Sequence, residues 1–218
     1  KASNRKTAPP LDNWSSGLYL LRMTQKDLNT KDHILATGRR LTALHGYTGV
    51  GLSELLKAAG VPKGSFYHYF ASKEAYGCAL LEAFVADYKE RLGATLVNPE
   101  IDGRTRFLNY FRDWHRRQSS GDPMDRCLVV KLSAEVADLS ADMSAILERG
   151  VTAIIAQLTR TLEQGIADGS IAPMADPAGT AQSIYYQWLG ASLVASLSQN
   201  DEALASTFWM TETLIPKP

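Results

Sequence analysis

Between Val61 and Lys73 the chain places Lys63, Ser65, Tyr67 and His68 close together, interleaved with Phe66 and Phe70. A cation, hydroxyls and an imidazole at that density are hydrogen-bond donors for phosphate oxygens and base edges. Phe66 and Phe70 are four apart, so on a helix they share one face and turn inward, which leaves the polar set pointing outward or sideways. Gly64 adds no side chain and lets that backbone come close to a partner. The second group with chemistry is Cys127. It follows the loop Gly121-Asp122-Pro123, and the pattern puts it in the first turn of the next helix with Arg126 beside it. A thiol so placed is expected to have a lowered pKa and to react as the thiolate, adding to an activated alkene or being oxidised to a sulfenic acid. An inert buried cysteine is the other reading, and the sequence leaves both open. Cys78, among Ala79, Leu80 and Leu81, reads as core.

The elements that position the donor cluster are short helices. Leu52 to Ala59 carries Leu55, Leu56 and Ala59 on one face, with Ser53 expected as its N-cap. Gly60-Val61 makes the turn, and the next helix starts near Pro62, a residue suited to a first helical turn. Two short helices joined by a glycine turn, the second rich in donors, have the layout of a helix-turn-helix, whose second helix enters the DNA major groove. An earlier helix is read from Thr30 to His45, ended by Gly46, and Ser72 caps a longer one from Lys73 to about Leu96. Backbone N–H groups at the start of the donor helix and at Ser72-Lys73 offer further phosphate contacts.

The distribution of charge agrees. Net charge is zero over 218 residues, yet residues 1–76 hold 11 Lys/Arg against 5 Asp/Glu, and residues 77–218 hold 12 against 18. A basic head on an acidic body fits a DNA-contacting module joined to one that does something else. No apolar run reaches the roughly 18 residues needed to cross a bilayer. The two cysteines form no C-x-x-C pair, so a reducing cytoplasm is expected, with no disulfide, metal or cofactor. There is no G-x-S-x-G elbow, no phosphate-cradling glycine loop and no H-E-x-x-H pair, which argues against an enzyme. A helical enzyme and an adaptor that binds only protein are the remote alternatives.

Beyond Leu96, breaks at Asn98-Pro99, Ser120 to Pro123, Gly169 to Pro173 and Gln199 to Asp201 separate helical stretches at about 103–119, 124–138, 140–168, 176–198 and 200–214. The expected fold is all-α with about nine helices: an N-terminal arm over residues 1–28, a three-helix DNA-binding head over 29–76 and a helical body over 77–218.

Residues 30–76 resemble the TetR family of one-component transcriptional repressors. The match lies in Ile34-Leu35-Ala36, Gly46-Tyr47, Leu52-Ser53-Glu54-Leu55, Ala59-Gly60-Val61, the run Lys63 to Phe70 and Ser72-Lys73-Glu74. The resemblance implies DNA contacts from Lys63, Gly64, Ser65, Tyr67, His68 and Lys73, with phosphate contacts from Thr48 and Ser53. Pro62 departs from the family, which often has Ser or Thr there, so a side-chain cap is lost. Cys127 to Val136 and Tyr186 to Leu193 are similar to the NemR-like subgroup, whose members sense reactive electrophiles. What this implies is a homodimer on palindromic half-sites of double-stranded DNA, released by a small-molecule effector. Two alternatives stand: an electrophile or unsaturated compound sensed at or near Cys127, or a non-covalent ligand beside a structural Cys127.

In the body, Phe107, Tyr110, Trp114, Tyr185 and Trp188 recur at helical spacing, as core or as cavity wall. Trp114 and Trp188 are the candidates for lining a pocket, and Arg126, Lys131, His115 and Tyr185 for orienting a polar group in it. The dimer surface is expected on the last two helices, through Leu189, Gly190, Ala191, Leu193, Ala195, Leu197, Phe208 and Leu214.

Overall fold

A computed structural model describes the backbone from Ser15 to Pro218 and side chains from Thr30 onward. Among the described residues there are nine helices and no strand: α1 (Ser15–His45), α2 (Leu52–Ala59), α3 (Lys63–Tyr69), α4 (Lys73–Leu96), α5 (Gly103–Ser119), α6 (Leu128–Leu139), α7 (Ala141–Ala167), α8 (Pro177–Ser198) and α9 (Glu202–Leu214). The expected arm lies partly outside the described residues. From Ser15 its backbone is already helical, so α1 begins well before Thr30. No proline interrupts residues 15–30, and Leu, Met, Gln and Lys there all favour helix.

The turn between α2 and α3 follows from Gly60. Its φ of 64° is left-handed, and its N–H reaches back to the carbonyls of Leu56 and Lys57, closing the helix end. Ser53 does not cap α2; Gly51 does, with no side-chain bond, so Ser53 stands inside the first turn. The cap at the start of α4 is as expected, with Ser72 Oγ accepting from Ala75 N–H at 3.0 Å. Asp102 does the same for α5, accepting from Thr105 N–H at 2.8 Å. The start of α6 is later than the pattern suggests. Asp122 accepts from Met124 N–H, and Asp125 takes Ser120 Oγ and Arg117, so residues 122–126 are committed to turns before the helix begins at Leu128.

Two hydrophobic cores result. The first joins the head to the body: Ile34, Tyr47, Leu55, Phe66 and Phe70 continue through Leu80, Leu81 and Phe84 of α4 to Leu128, Leu132 and Val136 of α6. The second lies in the body among α4, α5, α7, α8 and α9, around Phe107, Phe111, Leu158, Tyr185 and Trp188. Cys127, Tyr88, Val151 and Leu189 pack against both cores and mark the seam between them. No described helix is long and apolar enough to cross a membrane.

Candidate functional site

The donor face of the head is built by the burial of α3. Phe66 and Phe70 are 0% and 3% exposed, their rings 5.2 Å apart and tilted, with Tyr76 closing the cluster. That anchoring turns Lys63, Gly64, Tyr67 and His68 to solvent and leaves Ser65 half-buried. Lys63 Nζ lies 5.8 Å over the Tyr67 ring, a cation–π contact that holds both on one surface. Nothing stands within 4 Å of where a Gly64 side chain would begin, so the backbone is open to a close partner. Ser53 is exposed, with its hydroxyl unpartnered among the described residues. Lys73 packs its ammonium 5.1 Å from the centre of the Tyr47 ring. Tyr47 donates to the Lys73 carbonyl at 2.7 Å, and burial pushes its phenol up to about 12.

Thr48 is placed differently from the rest. Its N–H and Oγ1 both donate to Glu135 Oε2 of α6, at 3.0 and 2.7 Å. Gly46, with φ 78°, leaves the space that this carboxylate fills; a side chain there would run into Glu135. One turn earlier on α6, Lys131 Nζ donates to the Leu44 carbonyl at 3.0 Å. Ser140, at the end of α6, donates to Glu74 Oε1 at 2.6 Å. The body therefore grips the end of α1, the following loop and the start of α4 along the length of α6. The expectation that Lys131 orients a ligand is corrected by this contact, since Lys131 serves the head.

The thiol of Cys127 opens on two cavities. A narrow one of about 60 Å³ is lined by Tyr88, Arg91, Tyr110, Trp114, Gln118 and Arg126 among others. A wider groove of about 360 Å³ runs between α4 and α7, past Val129, Leu147, Gly150 and Ile154. Phe84, Tyr88, Leu92 and Cys127 belong to both. Cys127 is the residue before α6 rather than part of its first turn. The amides of Val129 and Val130 and the Arg91 guanidinium pull the thiol toward ionisation, but burial outweighs them and pushes its pKa up. This overturns the expected lowering, and it replaces Arg126 by Arg91 as the cation that acts on the sulfur. Arg126 lines the narrow cavity with its Nε buried and unpartnered.

The aromatic candidates divide. Trp114 is a cavity wall, held by its Nε1 donating to Ser192 Oγ at 2.9 Å. Trp188 is fully buried and donates to Thr211 Oγ1 at 3.0 Å, so it is core and lines neither cavity. Phe107 is likewise core. Tyr185 stands behind Trp114, with its ring edge-on at 5.5 Å. His115 turns away to Asp201 at 3.2 Å. Tyr88, Arg91 and Gln118 were not singled out from the sequence. A signal existed: Tyr110, Trp114 and Arg117 repeat at the spacing of one α5 face, and Tyr88 and Arg91 are three apart on α4.

On α8 and α9 the apolar face left open comprises Tyr186, Leu193, Leu197 at 76% exposure and Trp209 at 64%. Gly190 lies on it with open space before it. Ala191 and Ala195, expected on the same surface, are buried within the chain instead.

Residues 34–76 match the model of bacterial regulatory proteins of the tetR family. Residues 103–209 match the tetracyclin repressor-like C-terminal domain. The chain is 43% identical over 190 residues to the HTH-type transcriptional repressor NemR of Escherichia coli (strain K12), covering 87% of this chain and 96% of that protein. It is 29% identical to the HTH-type transcriptional repressor DhaR of Mycobacterium sp. (strain GP1), covering 85% and 92%. The crystal structure of reduced E. coli NemR superposes with a TM-score of 0.83 at 44% identity, over 87% of this chain and 98% of that one. The chain belongs to the TetR family of bacterial regulatory proteins, with NemR among its relatives.

Proposed function

We propose that this protein is a homodimeric transcriptional repressor that binds operator DNA through α3 and lets go when a small electrophile meets Cys127. The observation that carries the reading is a continuity: the thiol that opens on both cavities stands at the start of α6, and α6 meets the head through Lys131 and Ser140. Lys63, Gly64, Ser65, Tyr67 and His68 meet the major groove or its phosphates, while Ser53 and Lys73 add phosphate contacts. Thr48 joins them once Glu135 releases it. A second copy covers the apolar face of α8 and α9, and two heads read half-sites related by the two-fold axis. The domains follow: the head ends near Tyr76, and residues 77–218 bind effector and partner. The effector acts by favouring the arrangement whose head spacing no longer fits the operator.

A gel-shift on the chain's own upstream DNA, with and without N-ethylmaleimide, tests this on wild type and Cys127→Ser. Both proteins are expected to bind, and only wild type to be released. Release of both alike would show that the electrophile does not act through Cys127, leaving Cys78 or a non-covalent site; turnover of any added compound would indicate an enzyme.

A further inference from the structure

Three phenols converge near the Cys127 thiol from separate helices: Tyr88 of α4, Tyr110 of α5 and Tyr185 of α8. Tyr88 and Tyr110 line the same cavity as the thiol, and their hydroxyls are 2.7 Å apart. A phenol carries one O–H. Whichever of the two donates to the other, the second keeps an O–H that no protein acceptor takes. The Tyr185 hydroxyl is sealed from solvent and has no hydrogen-bond partner among the described residues. All three lie within electrostatic reach of the thiol. An O–H without a protein acceptor is available to an acceptor oxygen carried in by a ligand. Burial meanwhile keeps both thiol and phenols protonated near neutrality, so the sulfur needs a way to react without first becoming a thiolate.

We propose that Tyr88 and Tyr110, backed by Tyr185, form a proton relay through which the neutral Cys127 thiol adds to an alkene conjugated with a carbonyl group. The proposal rests on the reading that Cys127 is the sensing group, and it names the effector class: alkenes conjugated with a carbonyl group, that is enals, enones, quinones and maleimides. In the step, Sγ forms a bond to the β-carbon of the alkene. The alkene pair shifts to make the enol double bond, and the carbonyl π pair takes a proton on oxygen from one phenol. That phenol recovers a proton from its partner, which takes the proton of the breaking S–H bond. The enol then returns to the carbonyl form with its proton on the α-carbon. The net change is addition of S–H across C=C, with no oxidant. The charged groups around this set are Lys89 and Arg91 of α4, Asp113 and Arg117 of α5, Asp125 and Arg126 of the turn before α6, and Arg160 of α7.

The test uses the whole dimer carrying Cys78→Ser, so that Cys127 is its only thiol. Modification rates are measured with N-ethylmaleimide and with dithiodipyridine, an aromatic disulfide without a carbonyl, from about pH 6 to about pH 8.5, below the raised thiol pKa. They are compared among this parent, Tyr88→Phe and Tyr110→Phe. In the parent the maleimide rate should be nearly flat with pH, while the disulfide rate climbs about tenfold per pH unit, as a thiolate route requires. Each Phe variant should slow the maleimide at neutral pH about tenfold or more and make it climb with pH. The disulfide rate should stay within about twofold. If one variant fails to fold, the other carries the comparison. A parent maleimide rate that climbs like the disulfide rate, or variants that slow both reagents equally, overturns the relay. Release of Cys127→Ser from DNA by maleimide would instead remove the sensing reading, whatever the rates. A thiol inert to both reagents removes both.

Discussion

Glu135 is the residue whose removal most directly tests how the body restrains the head. Its Oε2 accepts both the N–H and the hydroxyl of Thr48, the donors that the proposed function assigns to a DNA phosphate. A carboxylate therefore occupies an anion's place in this DNA-free form. Hydrogen bonds to a charged group are worth about 1.5–3 kcal/mol when dry, but Thr48 is exposed and Glu135 half-buried, so the pair contributes about 1 kcal/mol net. If Thr48 must turn to phosphate on the operator, that stabilisation belongs to the free form alone. Glu135→Ala then raises the free form by about 1 kcal/mol per head and leaves the complex unchanged, so with two heads operator binding tightens by about 2 kcal/mol, roughly thirtyfold. The same loss lowers the melting temperature by about 2–4 °C for a chain of this size. Fluorescence anisotropy of a labelled operator at fixed salt, beside a thermal scan of the same preparation, reads both quantities. The paired signature is the point: less stable, yet tighter on DNA. A variant that melts lower and binds DNA equally or more weakly would refute the argument, because the contact would then support the DNA-competent head.

The remaining predictions concern the donor face and the start of α5. Lys63→Ala should weaken binding to all sequences alike, and flatten the slope of log affinity against log salt by about 0.9 per lost phosphate contact, or about 1.8 for the two heads of a dimer; a salt titration by anisotropy reads it. Asp102→Ala removes the α5 cap and should cost about 1 kcal/mol at neutral pH, read from denaturant titrations. The Asp102 carboxyl is held below its usual range, mainly by the Thr105 amide. Its stabilisation is therefore complete above the ordinary carboxyl pKa of about 4 and is lost as pH falls through the lower folded value, so parent and variant should converge in acid.

Local chemistry made much of this fold legible. Ser72 and Asp102 accept the first amides of α4 and α5, Gly60 turns the chain after α2, and each is visible as a residue type next to a periodic run. The donor face of α3 was legible for the same reason, since Phe66 and Phe70 decide which way Lys63, Tyr67 and His68 point. What escaped depends on residues distant in the chain. Trp114 and Trp188 carry the same helical signal, and only the packing of α5 against α8 and α9 makes one a cavity wall and the other core. Lys131 and Glu135 look like any solvated charges four apart on a helix until Leu44 and Thr48 are brought to them. The thiol went the other way: its helix-start position was readable and does act on it, but the burial that reverses the shift comes from the surrounding helices.

That position explains how a small adduct can matter to a head held farther along α6. Cys127 precedes the hydrogen-bond ladder of α6 and makes no side-chain cap bond, so its side chain can be displaced without breaking the helix. An adduct on sulfur crowds the seam between the two cores, where Tyr88 and Leu189 also sit. A close-packed interior does not absorb the added volume by yielding evenly. The cheaper response is for α6, 12 residues and about 18 Å long, to shift as a rigid body. Lys131 is fixed to that helix, so a shift large enough to relieve the thiol breaks its 3.0 Å contact with the Leu44 carbonyl at the end of α1.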